Sequence, residues 1–262
     1  MQVGKASLRF KHPAFVASWA SVAGKKEGQG PLSGGIDVTE QDEMFGMENW
    51  EQAESAMQKQ AADLALEKGN IHRREVRYLF AGDLLGQLIA TSFGTVDLEI
   101  PLFGLYGACS TMGEALGLGA MCVNAGYADR VLTLASSHYA TAEKQFRFPL
   151  GYGNQRAQSA TWTVTGCGAV VLGKNKTRVA VTGITTGKLV DMGTKDSMNM
   201  GAAMAPAAWN TICQNFEDFG VGASYYDRII TGDLGAEGAS GFYEEKRSRH
   251  HRKAHGLRPG NL

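Results

Sequence analysis

The stretch FAGDLLG at residues 80–86 returns as ITGDLG at 230–235. A shared Gly-Asp-Leu core would be weak evidence alone, but the segments upstream agree in kind and order. Each copy follows a strand-like segment, and before that an amphipathic helix, 48–68 in one case and 202–219 in the other. A strand of small residues precedes each helix, at 15–22 and 179–185. Features repeated in the same order indicate duplication of a structural unit. In the first copy Trp50, Ala53, Met57, Ala61, Leu64 and Ala65 recur at helical spacing, acidic residues open the helix and Gly69 ends it.

The glycine-rich turn region 24–35 links the first strand to that helix. Beyond it the pattern predicts a strand at 76–81, another at 100–105, a helix of small and apolar residues at 112–125 and a strand at 131–136. Residues 162–172 read as a hairpin-like pair or a bent strand around Gly166 and Gly168. Strands alternating with helices predict an α/β fold with buried central strands.

After its Gly-Asp-Leu element the first copy runs on through several further elements, whereas the second has only residues 236–262 left. The expected organisation is therefore a first half at 1–175, an incomplete second half at 176–241 and a basic tail at 242–262. From Glu244 to His255 nearly every position is Glu, Lys, Arg or His, with no apolar period. That run reads as a solvated end or as sequence foreign to the fold, and the second half is expected to be truncated.

Formal net charge is zero, with 26 basic and 26 acidic side chains. Six Lys or Arg and no Asp or Glu lie from Lys246 onward, so residues 1–245 are net acidic, which argues against nucleic acid as a partner. The four cysteines, Cys109, Cys122, Cys167 and Cys213, are too far apart for a structural zinc site, and no metal is expected. No window approaches the roughly 18–20 apolar residues that span a bilayer, and no signal peptide is expected at the N-terminus.

Cys109 sits in the turn between an apolar strand and an apolar helix. A helix N-terminus would stabilise a thiolate there, as in an activated nucleophile. A small side chain packing the same corner accounts for it equally well. The segments 80–85, FGLYGACSTMG at 103–113, SSHYATAEKQFRFP at 136–149 and TWTVTGCG at 161–168 resemble the stage V sporulation protein AD family. That resemblance implies a thiolase-like fold: two similar βαβαβαββ halves whose sheets stack with helices between them.

It also places Cys109 at the nucleophile position of thiolases and ketoacyl synthases. Those enzymes need a histidine after the second-half strand, but 231–233 reads Thr-Gly-Asp and no histidine falls between His138 and His250. Without a base or oxyanion partner a cysteine is a poor condensing catalyst, so a non-enzymatic role without cofactor is expected.

The resemblance implies instead binding of dipicolinic acid, or its calcium chelate, during uptake into the bacterial forespore. It further implies a peripheral place at the forespore or spore inner membrane, other proteins of the same uptake complex as partners, and a homodimer formed near the strand at 131. Dipicolinate is a planar aromatic dianion, so its site should offer two cationic clamps flanking an apolar slot. The connection between the 131 and 162 strands supplies His138, Lys144, Gln145, Arg147, Arg156 and Trp162. Taken singly, Lys144 and Arg147 also read as solvated cations, His138 as a satisfied structural histidine and Trp162 as core. Two alternatives stay open: an acyl-thioester condensing enzyme using Cys109, and a purely structural subunit of a spore membrane transport assembly.

Overall fold

Hydrophobic periodicity becomes a mixed sheet faced by helices in the computed structural model, which describes residues 1–146, 162–195, 199–232 and 234–235. In chain order the elements are β1 (Gln2–Val3), β2 (Ser7–Ala23), β3 (Val38–Thr39), α1 (Trp50–Lys68), β4 (Tyr78–Gly82), α2 (Ile89–Thr95) and β5 (Leu102–Gly104). There follow α3 (Thr111–Asn124), β6 (Arg130–Ser137), α4 (Tyr139–Phe146), β7 (Gly166–Gly173), β8 (Ala180–Thr185) and α5 (Met200–Phe219). Among the described residues the larger of two units comprises 10–146 and 162–183, and the smaller comprises 1–9, 184–195, 199–232 and 234–235.

In the larger unit the strands run in the order β2-β7-β6-β4-β5. β4 is parallel to both β5 and β6, while β7 is antiparallel to β6 and β2. Alternation along the strands divides their side chains between two faces. Leu79, Ala81, Leu132, Leu134, Ala169 and Val171 join Met57, Ala61 and Ala65 of α1 in one core. On the other face α3 comes so close that a Cβ at Gly119 would meet Thr133 Cγ2 at 2.9 Å and Val131 Cγ2 at 3.1 Å.

α1 begins where Asn49 accepts a hydrogen bond from the Gln52 amide at 2.9 Å, with Glu51 in the first turn and Lys68 in the last. Its buried face carries two polar residues, Glu54 and Gln58. Trp50, expected on the apolar stripe, is instead exposed. The stretch read as a hairpin-like pair or bent strand is the single strand β7, because its edges are taken by β6 and β2. The strand expected at 100–105 shrinks to three residues.

The smaller unit is tied together at the N-terminus. β1 pairs with the first residues of β2, and Asp218 of α5 accepts from the amides of Lys5 and Ala6, both at 2.9 Å. α5 starts like α1, with Asn199 accepting from the Ala202 amide at 3.0 Å, and ends at Gly220 with φ +65°. The strand expected to lead into 230–235 does not form: residues 226–231 have no ladder partner, and Ile230 is exposed. Among the described residues the strands supply one sheet.

Candidate functional site

A cavity of about 430 Å³ opens in the larger unit where the end of β2, the start of α1, the first turn of α4 and the segment before β7 converge. Local hydrogen bonds fix its walls. Gly24 donates its amide to the Thr165 carbonyl at 2.9 Å, the Thr165 amide donates to Glu27 Oε1 at 3.1 Å, and the Tyr139 amide donates to Thr165 Oγ1 at 3.0 Å. Ser137 Oγ donates to the Val164 carbonyl at 2.6 Å.

One wall is aromatic: Tyr139 and Trp162 stack with ring centroids 4.5 Å apart and an interplanar angle of 24°. Lys26 Nζ lies over the Trp162 ring, 3.3 Å from its centroid. Lys25 lines the same opening, opposite in sign to Glu27, Glu43 and Glu143. Both lysines are exposed.

His138 also lines the cavity, buried at 3 % exposure. Its Nδ1 accepts from the Ala140 amide at 3.1 Å, which leaves Nε2–H to donate to the Glu43 carbonyl at 2.8 Å. Both ring nitrogens thus serve the wall, and His138 is the satisfied structural histidine that its sequence position allowed. Trp162 is half exposed, so the core reading does not hold. Lys144 and Gln145, further along α4, are exposed and outside the lining. The Lys144 ammonium beside Glu51 holds that carboxyl below the ordinary carboxylate range. Arg147 and Arg156 lie outside the described residues.

Lys25, Lys26 and Tyr139 escaped the sequence reading. Tyr139 stood inside the quoted SSHYATAEKQFRFP segment, and the lysine pair closes a strand of small residues, a position that gains meaning only when 162–165 folds beside it.

Cys109 occupies the corner before α3, and Ala108 ahead of it is held at φ +47°, a strained value for alanine. Desolvation pushes the Cys109 thiol up, opposed only by its own backbone amide. An activated nucleophile needs the reverse shift. Cys167, fully buried, is pushed up as well. Among the described residues no three His, Cys, Asp or Glu side chains are placed to hold a metal ion.

Solved structures with the same fold include the cerulenin-bound OleA of Xanthomonas campestris, at TM-score 0.63 and 14% identity over 90% of this chain and 80% of that one. The 3-oxoacyl-(acyl carrier protein) synthase III of Xanthomonas oryzae pv. oryzae superposes at TM-score 0.60 and 16% identity over 91% and 82%. Identities this low establish the thiolase-like α/β architecture and no activity. "Stage V sporulation protein AD" of Bacillus subtilis (strain 168) is 42% identical over 236 residues, 90% of this chain and 70% of that protein. The family described as Stage V sporulation protein AD (SpoVAD) matches residues 4–249. With its fold shared by the condensing enzymes and its sequence matched along nearly the whole length, the chain belongs to the stage V sporulation protein AD family.

Proposed function

We propose that this chain binds dipicolinate, as the dianion or as its calcium chelate, without converting it, during uptake of that compound into the developing spore. The observation that carries the reading is the cavity wall in which Tyr139 and Trp162 stack beneath the Lys26 ammonium. A planar aromatic ring gains stacking and apolar burial on such a wall, and a lysine beside it gives one carboxylate a charged hydrogen-bond donor. The volume lies within the range of small-molecule sites, roughly 300–1,000 Å³. Lys25 shares the opening as a candidate for the second clamp, and Arg147 and Arg156 are further candidates from the sequence. A calcium chelate would offset the carboxylates of Glu27, Glu43 and Glu143 on the same walls.

A non-catalytic role fits a Cys109 thiol that desolvation pushes up rather than down. The parallel order β2–α1 and β8–α5, each helix opened by an asparagine cap, supports a duplicated ancestor for the fold. Placement is peripheral at the forespore or spore inner membrane, beside other proteins of the uptake complex. No helix among the described residues is long and apolar enough to cross a bilayer.

Isothermal calorimetry tests the ligand. Dipicolinate is expected to bind and picolinate to bind at least tenfold more weakly, because one clamp is then empty. Lys26→Ala is expected to cost about 1.5–3 kcal/mol, the worth of a hydrogen bond to a charged group. Equal affinity for the two pyridines overturns the two-clamp site.

A further inference from the structure

Thr165 lies in the buried part of the cavity lining, at 7 % exposure, and each of its backbone polar groups engages a different wall. Its carbonyl accepts from the Gly24 amide, just past β2, at 2.9 Å, and its amide donates to Glu27 Oε1 at 3.1 Å. Both branches of its side chain are held as well. The methyl packs on Gly24, where an added Cβ would stand 3.0 Å from Thr165 Cγ2. The hydroxyl oxygen accepts from the Tyr139 amide, at the start of α4, at 3.0 Å. A β-branched side chain engaged on both branches keeps one rotamer, so the hydroxyl does not swing.

The bond to Tyr139 also decides what the hydroxyl can still do. An amide N–H only donates, so Thr165 Oγ1 is the acceptor there and its own hydrogen is directed elsewhere. Among the described residues no acceptor takes that hydrogen: the Glu27 carboxylate bonds the Thr165 amide and not its hydroxyl. His138 has no donor to spare, since both its ring nitrogens serve the wall. Thr163, the other threonine of the lining, is less buried and has no such bond among the described residues to orient its hydroxyl.

We propose that Thr165 determines specificity for the second carboxylate of a planar aromatic dianion: Thr165 Oγ1–H donates to one of its oxygens while the Lys26 ammonium meets the other carboxylate. This deepens the dipicolinate reading and rests on it. An ionised carboxylate is acceptor-only and takes several donors, so an ammonium and a neutral hydroxyl can share one ligand. The surroundings suit that division. Glu27, Glu43 and Glu143 already oppose the lysines on the same walls, and a hydroxyl adds a donor without adding charge. Its oxygen accepts from Tyr139, which polarises the O–H toward donation, and its fixed rotamer leaves little freedom to lose on binding.

Thr165→Val keeps the branched shape against Gly24 and removes the hydroxyl, whereas Thr165→Ser keeps the hydroxyl and removes the methyl. Calorimetry on the full chain with two probes, dipicolinate and picolinate, separates a direct contact from support of the walls. Thr165→Val is expected to weaken dipicolinate at least about tenfold and picolinate less than about threefold, because the single carboxylate of picolinate is held at Lys26. Thr165→Ser is expected to stay within about threefold of wild type for both. A valine variant that binds dipicolinate as the wild type does overturns the inference, and so does one that loses both probes in the same proportion, which reduces Thr165 to support of the walls. If the valine variant does not fold, the Tyr139 amide resonance of the wild type decides. It is expected to shift further on saturation with dipicolinate than with picolinate, and equal shifts overturn the contact. A wild type that binds no dipicolinate overturns the ligand reading and this contact with it, whereas a wild type that binds, matched by its valine variant, overturns the contact alone.

Discussion

At the residue scale, the first Gly-Asp-Leu element explains itself through Gly82. A Cβ there would collide with the Leu105 carbonyl oxygen and stand 2.8 Å from Thr111 Cγ2, just where the Leu105 amide reaches the Ala81 carbonyl at 2.8 Å. The glycine lets β4 end against the turn leading to Cys109, and the Asp83 that follows ties the loop back to α2. Gly82→Ala is therefore expected to lose roughly 2–3 kcal/mol by overpacking against backbone that cannot move aside. Gly113→Ala, on the exposed face of α3 with open space around it, is expected to gain up to about 1 kcal/mol. Urea unfolding midpoints compare the two, and a neutral Gly82→Ala would show that the turn can shift. Sequence offered the motif but not the reason for it, since the atoms that exclude a side chain at Gly82 come from Leu105 and Thr111. The candidate site was legible to a similar depth. His138 and Trp162 both line the cavity, yet the lysines beside them belong to a turn more than a hundred residues earlier in the chain.

At the element scale, the helices were legible because one face is repeatedly apolar: α3 begins and ends within a residue of its predicted bounds. The strands were less so, since ladder partners decide where a strand stops; β2 extends well before residue 15, while the segment before 230 forms none. In the smaller unit a single carboxylate performs the joining. Desolvation would raise the Asp218 carboxyl, but the amides of Lys5 and Ala6 and the side chains of Ser7 and Gln214 outweigh it and hold the group at about 2, below its ordinary 3.8. Gly4 is left-handed at φ +56°, and a side chain there would run into Asp218, so the turn between β1 and β2 is built around this carboxylate. A depressed carboxyl stabilises above its unfolded value and loses that contribution as pH falls toward the folded one. The N-terminal hairpin is thus expected to loosen between about pH 4 and 2 and to be stable at neutral pH. In an NMR titration the Lys5 and Ala6 amide resonances should move together with a midpoint near 2, and Asp218→Asn should abolish the movement. A midpoint at 3.8 would mean the hydrogen bonds do not favour the charged form.

At the scale of the whole molecule, the sheet of the larger unit has one edge that bears on assembly. Edge pairing of β6 with a second copy would have to displace its neighbours, because both its edges are already paired, to β4 and β7. β5 instead ends the strand order, and its residues Leu102, Phe103 and Gly104 are all exposed. Phe103 stacks on Phe80 at 5.0 Å and meets Tyr78 edge-on at 5.5 Å, so its ring is already held in place, and Tyr106 adds a further exposed ring nearby in the chain. An edge strand with open backbone groups and apolar side chains is a template for pairing, and in a homodimer two such edges can close on each other about a two-fold axis. We predict that the homodimer expected from the family resemblance uses β5. Phe103→Glu places a charge at that edge at the cost of the ring contacts with Phe80 and Tyr78, and two such charges would face one another across the axis. Sedimentation equilibrium is expected to give twice the 28.0 kDa chain mass for the wild type and a single mass for the variant, with unchanged circular dichroism. A wild-type monomer at tens of micromolar would remove the dimer, whereas a variant that remains dimeric would move the contact away from β5.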